Sequence, residues 1–486
     1  MTANNIIFRF KPIFLTACFL WLFCLFMPGT GAAAEQDIHL SVLEQPFTGD
    51  LPEMKKRRVI RALVVFGPTD FFFVKGRPSG LQADLLREYE KFINKGVKRE
   101  TDKVHVVFVP VSFSNLIPWL REGRGDIAAH FLTETPERRK FLRFASGRRM
   151  EVAELLVAHK DTPLPDNIEG LAGKTIHVLP GSSYLEHLRE LNRRFTEKGL
   201  PPVDIQIVDP RLNTEDILEM VNAGVIGMTV VDDYKAKLWA QALPDIRIDE
   251  QLAINRGGFV GWAVRRNNPE LASSLQAFSR KVRKGTLLGN MLIKRYYQNT
   301  RWIKNPAREQ AREKFEQLLT LFRKYGDQYG FDALALAAQG YQESELDQNR
   351  RSHRGAVGIM QLLPSTAADK QVGIPDISTE ENNIHAGARY LAFLRDRYFS
   401  DPAISAEDRM AFSWAAYNAG PAKVRKMRKL ARKMGLDPNR WFGNVEIAAG
   451  KIVGRETVRY VANIYKYYTA YRYLMQARDQ KKDKAA

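Results

Sequence analysis

An α/β region followed by a mostly helical one is the fold class this sequence predicts, and three observations carry it. From about residue 59, short runs of β-type residues alternate with amphipathic stretches, the pattern of an α/β domain. Beyond residue 305 the character changes to long helical stretches with few β-branched runs. At 486 residues the chain exceeds what one hydrophobic core fills, so two or more domains are expected.

The elements follow in order. Arg9 and Lys11 precede an apolar stretch over 13–27, which runs into Pro28-Gly29 and the small residues Ala32-Ala33-Ala34. That is a secretory signal peptide, expected over 1–34 with cleavage before Glu35, the alternative being retention as an anchor. The two cysteines of the chain, Cys18 and Cys24, both lie in this segment. The chain beyond it is therefore expected to use no disulfide, no thiol nucleophile and no cysteine-ligated zinc. Strands are expected over 60–65, 104–109, 175–179 and 225–231, with a helix over 83–93. Asn305-Pro306 is the expected domain boundary, because the residue before proline is pushed out of the helical region. A lysine-rich tail over 476–486 is expected to fray.

Lys and Arg total 74 against 55 Asp and Glu, a formal net charge of +19 with pI near 9.7. For an exported chain no nucleic-acid partner is expected. Anionic envelope polymers or lipid headgroups are the counter-charge, and peripheral membrane association fits them. Part of the excess is local: 423–433 holds seven cations and no acid, either a solvated helix face or a binding patch.

The α/β region carries a family resemblance. The run Gly80-Leu81-Gln82-Ala83-Asp84, the element Gly123-Arg124-Gly125-Asp126-Ile127, the piece Thr135-Pro136-Glu137-Arg138, the pair Ser182-Ser183 and Val230-Val231-Asp232 occur in the order found in extracellular solute-binding proteins of the amino-acid-binding type. The region resembles that family over roughly 59–296. The resemblance implies a bilobed periplasmic-binding-protein-like α/β domain, assigned here to 35–300, with crossover strands near 152–159 and 259–264 and a ligand cleft between the lobes. It also implies that Arg138 grips a ligand carboxylate, that Ser182 and Ser183 offer donors at a helix start, and that Asp232 holds an ammonium group. The expected ligand is a small amino-acid-like molecule or a muropeptide. Gly227 departs from the family, which often has aspartate there.

In the helical region, Phe315, Leu318, Leu319 and Phe322 have helical spacing, with Tyr325-Gly326 read as the stop. The next helix, 332–345, is apolar on most sides and therefore buried. It ends at Glu343, with Gly340 leaving a notch one turn earlier. A carboxyl on such a helix end is poorly solvated, so its acid form is favoured and it can donate a proton near neutral pH. The glycine-studded loop that follows, 355–367, lets backbone approach a bulky ligand. His353 and His385 lack companions at metal-ligand spacing, so no metal and no cofactor are expected.

Four blocks then fall in family order: Gln342-Glu343-Ser344 with Ser352 and 355–367, Asn383 to the Arg389-Tyr390 pair, Ala416-Tyr417-Asn418-Ala419-Gly420, and Glu456-Thr457-Val458-Arg459-Tyr460. This region resembles the soluble-lytic-transglycosylase family, over 305–475. The resemblance implies a mostly α-helical lysozyme-like (α+β) domain that acts on peptidoglycan glycan strands. It implies Glu343 as the single catalytic acid, with Ser352, Gln361 and Tyr417 lining the sugar subsites and Glu456 supporting the site from a later helix. It further implies cleavage of the β-1,4 bond between N-acetylmuramic acid and N-acetylglucosamine with 1,6-anhydro ring closure. The expected location is the periplasm, peripheral to the outer membrane. Two alternatives stand beside this reading: a muramidase on the same fold, and a periplasmic solute receptor docked to the wall.

Overall fold

The computed structural model describes residues 45–74, 77–283, 285–297, 309–453 and 455–485. The expected signal segment 1–34 and the Asn305-Pro306 boundary lie outside them.

After a short helix α1 (Leu51–Arg57), strand β1 (Val59–Val65) is buried along its whole length. It pairs in parallel with β4 (His105–Val111) and β5 (Ile127–Thr133), so both its faces must be covered, which explains its near-continuous apolar run. The exception, Arg61, is fully buried and satisfied: its guanidinium meets Asp126 at 3.0 Å and donates to Gly123 O at 2.6 Å. A small hairpin, β2 (Phe72–Val74) and β3 (Arg77–Ser79), leads into α2 (Leu81–Ile93), and α3 (Phe113–Arg121) and α4 (Pro136–Arg139) complete the first lobe.

The long strand β6 (Leu142–His159) carries the chain into the second lobe. There β7 (Thr175–Val178), α5 (Ser183–Glu197), β8 (Asp204–Ile207), α6 (Thr214–Asn222), β9 (Met228–Asp232) and α7 (Asp233–Ala240) follow. The return strand β10 (Ile246–Arg265) pairs antiparallel with β6 along most of its length. One eight-stranded order therefore runs through both lobes, β4-β1-β5-β10-β6-β9-β7-β8. The expected strand over 225–231 begins late, at Met228. Val225 and Ile226 are apolar because they pack against Leu179 and Leu212, not because they are extended. Helices α8 (Pro269–Val282) and α9 (Leu287–Tyr297) pack back onto the first lobe.

The helical region opens with α10 (Glu309–Tyr329). Gly326 does not end it, contrary to the expectation. A Cβ there would lie 2.8 Å from Phe331 O, so the residue is small to let the next turn close over the helix. The stop is Gly330, at φ +67°. Helix α11 (Ala333–Ser344) is capped by the Asp332 carboxylate, which accepts from Leu334 N at 2.8 Å, and most of its residues are buried. Then come α12 (Pro364–Ala368), α13 (Glu380–Tyr398), α14 (Ala406–Ala419) and α15 (Pro421–Lys433). A π-type turn over Trp441–Val445 precedes α16 (Glu446–Ile452) and the 31-residue α17 (Arg455–Ala485). The backbone of the expected fraying tail is helical to Ala485. Between α11 and α12 the β component is limited to isolated bridges, Arg351 with Val357 and Val357 with Leu362.

Helix α17 packs on α11 and also reaches the second lobe. Tyr465 Oη donates to Asp209 Oδ2 at 2.8 Å, and Lys466 Nζ lies 2.8 Å from Glu219 Oε2 and 3.7 Å from Asp216 Oδ1. Burial disfavours the Lys466 ammonium, but Glu219, Tyr467 and Asp216 outweigh it and hold the group above its ordinary range. A cavity of about 770 Å³ lies between the two regions, with Phe113, Trp119 and Arg211 on one wall and Gln342, Glu345 and Glu446 on the other.

Candidate active site

Glu343 sits in the last turn of α11. Its carboxyl is pushed up to about 7 by burial, against the opposing effect of one hydrogen bond: Tyr460 Oη donates to Glu343 Oε1 at 2.5 Å. Tyr460 is itself buried on α17 and receives Gln339 Nε2 at 3.4 Å. The donor to the acid therefore comes from a tyrosine of the last family block to which sequence reasoning gave no role of its own. Its five neighbours in the same helix, Tyr465, Tyr467, Tyr468, Tyr471 and Tyr473, look alike in one dimension.

The helix end is held by Ser344. Its hydroxyl contacts Gly340 O at 3.2 Å and Ile359 O at 2.9 Å, and accepts from Asp347 N at 3.0 Å. Glu345 and Leu346 then adopt φ +61° and +62°, a left-handed pair that costs energy in residues with side chains. This turns the chain sharply beside the acid. The notch at Gly340 is filled by Ile359, whose Cγ2 would lie 3.0 Å from an added Cβ.

One glycine of the loop has a task within the fold. Gly358, at φ +77°, is pressed against Asn383: a Cβ there would sit 2.4 Å from Nδ2. Asn383, fully buried on α13, accepts from Met360 N at 2.8 Å and donates to Val357 O at 2.9 Å. The close approach is thus to the protein's own framework and fixes the loop's shape. Gln348 adds two bonds, to Ile377 O and Ser378 O, both 3.0 Å, which tie the loop down further.

The remaining expected site residues divide. Tyr417 Oη donates to Met360 O at 2.8 Å, and the charge of Glu343 contributes to raising its phenol, so it stands near the acid. Gln361, at φ +45°, donates to Gly358 O at 2.9 Å and Arg350 O at 3.2 Å. Ser352 is exposed at the loop mouth, its Oγ accepting from Ala356 N at 3.0 Å. Glu456 is exposed in the first turn of α17. That block reaches the site through Tyr460 instead, and Thr457 adds a hydroxyl that donates to Asn418 Oδ1 at 2.7 Å. Glu446 was missed. Burial pushes its carboxyl up to about 7, Gly443 N donates to it at 3.1 Å, and it lines the large cavity together with Gln342. His385 stacks on Tyr325 at 4.4 Å and bonds Tyr329 Oη at 2.8 Å. No cluster of three metal-ligating side chains occurs among the described residues.

In the α/β region the cleft residues converge, but on one another. Arg138 is buried, and its guanidinium donates to Glu186 Oε1, Thr133 O and Gly181 O, each at 2.9 Å. The carboxylate it grips is therefore the protein's own, reaching across from α5. Ser182 caps α5, accepting from Leu185 N at 3.3 Å and donating to Leu179 O at 2.8 Å, and Ser183 is buried beside it. Asp232 is buried with Oδ1 unpartnered among the described residues, and burial plus the nearby Glu154 push it up to about 8. Lys235 bridges the lobes, 3.2 Å from Asp70 and 3.1 Å from Glu215. The space left among these side chains is about 20 Å³, room for about one water. Sequence reasoning placed a ligand cleft here, and in this structure its side chains close on one another.

Two family models match. Residues 64–298 match bacterial extracellular solute-binding proteins, family 3, and residues 320–438 match the transglycosylase SLT domain. A solute-binding module ahead of an SLT domain defines a modular lytic transglycosylase. A membrane-bound lytic murein transglycosylase F of Desulfosudis oleivorans is 30% identical over 82% of this chain and 86% of its own length. One from Pseudomonas fluorescens is 28% identical over 88% and 87%. The chain belongs to the membrane-bound lytic murein transglycosylase F family. Among solved structures, an ancestral arginine-binding protein bound to arginine aligns with half of the chain at 22% identity and a TM-score of 0.40.

Proposed function

We propose that this protein is a peptidoglycan lytic transglycosylase that uses Glu343 as both acid and base. The observation that supports this best is the Glu343 carboxyl itself: largely buried, raised to about 7, and held by one phenol hydrogen bond. In that state it carries a proton at the pH where it must act. Glu343 protonates the glycosidic oxygen as the bond from muramoyl C1 to the leaving N-acetylglucosamine breaks. The resulting carboxylate then takes the proton of the muramoyl C6 hydroxyl, whose oxygen bonds to C1 and closes a 1,6-anhydro ring. Proton count and charge balance, and no water is consumed. The nucleophile belongs to the substrate, so the second carboxylate of ordinary glycosidases is not needed. Tyr460 positions Glu343 and stabilises its ionised form between the two transfers. Tyr417, Gln361 and Ser352 line the sugar groove.

Mass spectrometry of digested peptidoglycan tests the reading. Anhydromuropeptides are expected; reducing muramic-acid ends would make the protein a muramidase.

The bilobed module is assigned a small amino-acid-like or muropeptide ligand, held by Arg138, Ser182, Ser183 and Asp232. Binding requires the lobes to open and Glu186 to yield its place on Arg138, so the ligand shifts an existing equilibrium. Calorimetric titration of free amino acids and muropeptides tests this, with Glu186→Ala expected to bind more tightly than wild type. A flat titration for both proteins would leave the module without this role. The enzyme is placed in the periplasm, peripheral to the outer membrane, exported by residues 1–34. No helix among the described residues is long and apolar enough to cross a membrane. Fractionation of cells after salt washing tests the peripheral assignment.

A further inference from the structure

Helix α15 carries a charge pattern that the fold does not use. Its apolar side is spent: Val424, Met427 and Ala431 are fully buried in the domain core. At about 100° per residue, Arg425, Lys426, Lys429, Arg432 and Lys433 fall within a sector of about 120° on the opposite side, and all five are exposed. Arg428, on the flank, is the cation the fold does employ, donating to Pro438 O at 2.8 Å and Asn439 Oδ1 at 2.6 Å. The five exposed cations have no ion pair or hydrogen bond within the chain among the described residues. Like charges three and four residues apart destabilise a helix, and here no acid in the helix offsets them. Two acids on other segments, Asp401 and Asp437, act on Arg428.

The place of this face matters as much as its charge. Gly420, at φ +87°, is at once the last cap of α14 and the first cap of α15. Tyr417, one turn earlier, touches the loop beside Glu343 through Met360 O. Helix α15 thus starts beside the proposed groove, and its basic face, from Arg425 to Lys433, runs about 12 Å along it.

We propose that this face is a docking surface for the stem-peptide carboxylates of peptidoglycan, holding the wall beside the groove while one glycan strand is cut. The inference rests on the reading of the substrate given above. Peptidoglycan supplies carboxylates at regular intervals along each strand, a repeating anion matched by a row of cations. A lipid surface fits less well. A helix that lies on a membrane inserts its apolar side, and that side of α15 is inside the protein.

The test uses the full-length Glu343→Gln protein, so that binding is read without cleavage, with and without Lys426→Ser, Lys429→Ser and Lys433→Ser together. Co-sedimentation with purified sacculi is expected to weaken about tenfold or more in the triple variant, and the difference is expected to shrink at high salt. With sacculi stripped of stem peptides by an amidase, the two proteins are expected to bind equally. In the active background the triple variant is expected to cleave peptide-free glycan strands at the wild-type rate, which also shows that it is folded. Equal binding to intact sacculi overturns the proposal, as does an equal loss on stripped glycan. Loss of binding to phosphatidylglycerol vesicles with unchanged sacculus binding assigns the face to lipid and likewise overturns it. Failure of the active protein to release anhydromuropeptides would instead count against the proposed reaction, since the sedimentation assay does not depend on it.

Discussion

Replacing Glu343 by glutamine separates the chemistry of the acid from its burden on the fold. The carboxyl is raised from an ordinary 4.5 to about 7, burial being the main cause. At about 1.36 kcal/mol per pH unit this corresponds to about 3.4 kcal/mol between its two protonation states. The side chain retains some solvent contact, so screening reduces the working figure to about 2 kcal/mol. Because the folded value lies above the unfolded one, the contribution is complete below about pH 4.5 and lost as pH rises through about 7. Wild type is therefore expected to lose about 2 kcal/mol relative to Glu343→Gln between pH 4.5 and pH 8. Urea denaturation of both proteins at the two pH values measures it. The variant should also lose nearly all anhydromuropeptide release, about a thousandfold or more. A stability difference that does not change with pH would refute the buried, proton-carrying acid. Retained lytic activity would refute the site.

Three further outcomes follow from the same geometry. Tyr460→Phe removes the donor that favours the Glu343 carboxylate, so the basic limb of the pH–rate profile should move upward while kcat falls by about tenfold to a hundredfold; an unmoved limb would remove Tyr460 from the site. Gly358→Ala forces φ +77° on an L-residue and drives a methyl into Asn383, so thermal unfolding should show a loss of about 2 kcal/mol or more. Lys466→Met leaves Asp216 and Glu219 without their buried cation, at an expected cost of about 3 kcal/mol or more in urea. Near-wild-type stability of that variant would mean that the two acids find other partners.

How much of this was legible in the sequence depends on how local each determinant is. The alternation of short strands and helices, the buried α11 and the loop after Glu343 are encoded within tens of residues, and they were read correctly. The crossover strands, which the family resemblance implied near 152–159 and 259–264, lie within β6 and β10. The errors have specific physical origins. Gly326 has the composition of a helix stop, but its size serves an approach by Phe331 that only the tertiary fold brings about. Val225 and Ile226 look like strand residues because a core residue in a turn is as apolar as one in a strand. Beside these, the partner that Arg138 has in this structure, Glu186, was not legible: it lies 48 residues away on another lobe, with no signal in its own surroundings. Tyr460 differs from its neighbouring tyrosines only in the direction it faces. Glu446 follows a turn in which Gly443 takes φ +70°, so no regular periodicity aims it at the cavity.

Helix α17 also limits what can be separated. The residue that tunes the acid, Tyr460, and the residues that anchor the solute-binding module, Tyr465 and Lys466, ride on one uninterrupted rod. Six residues of helix span about 9 Å, and its backbone hydrogen bonds hold that spacing to fractions of an ångström. A protein engineer who trims the module away to obtain a smaller lytic enzyme would bare one flank of the rod that sets the acid's proton affinity. The pH optimum of such a fragment would report on a face more than a helical turn from the acid.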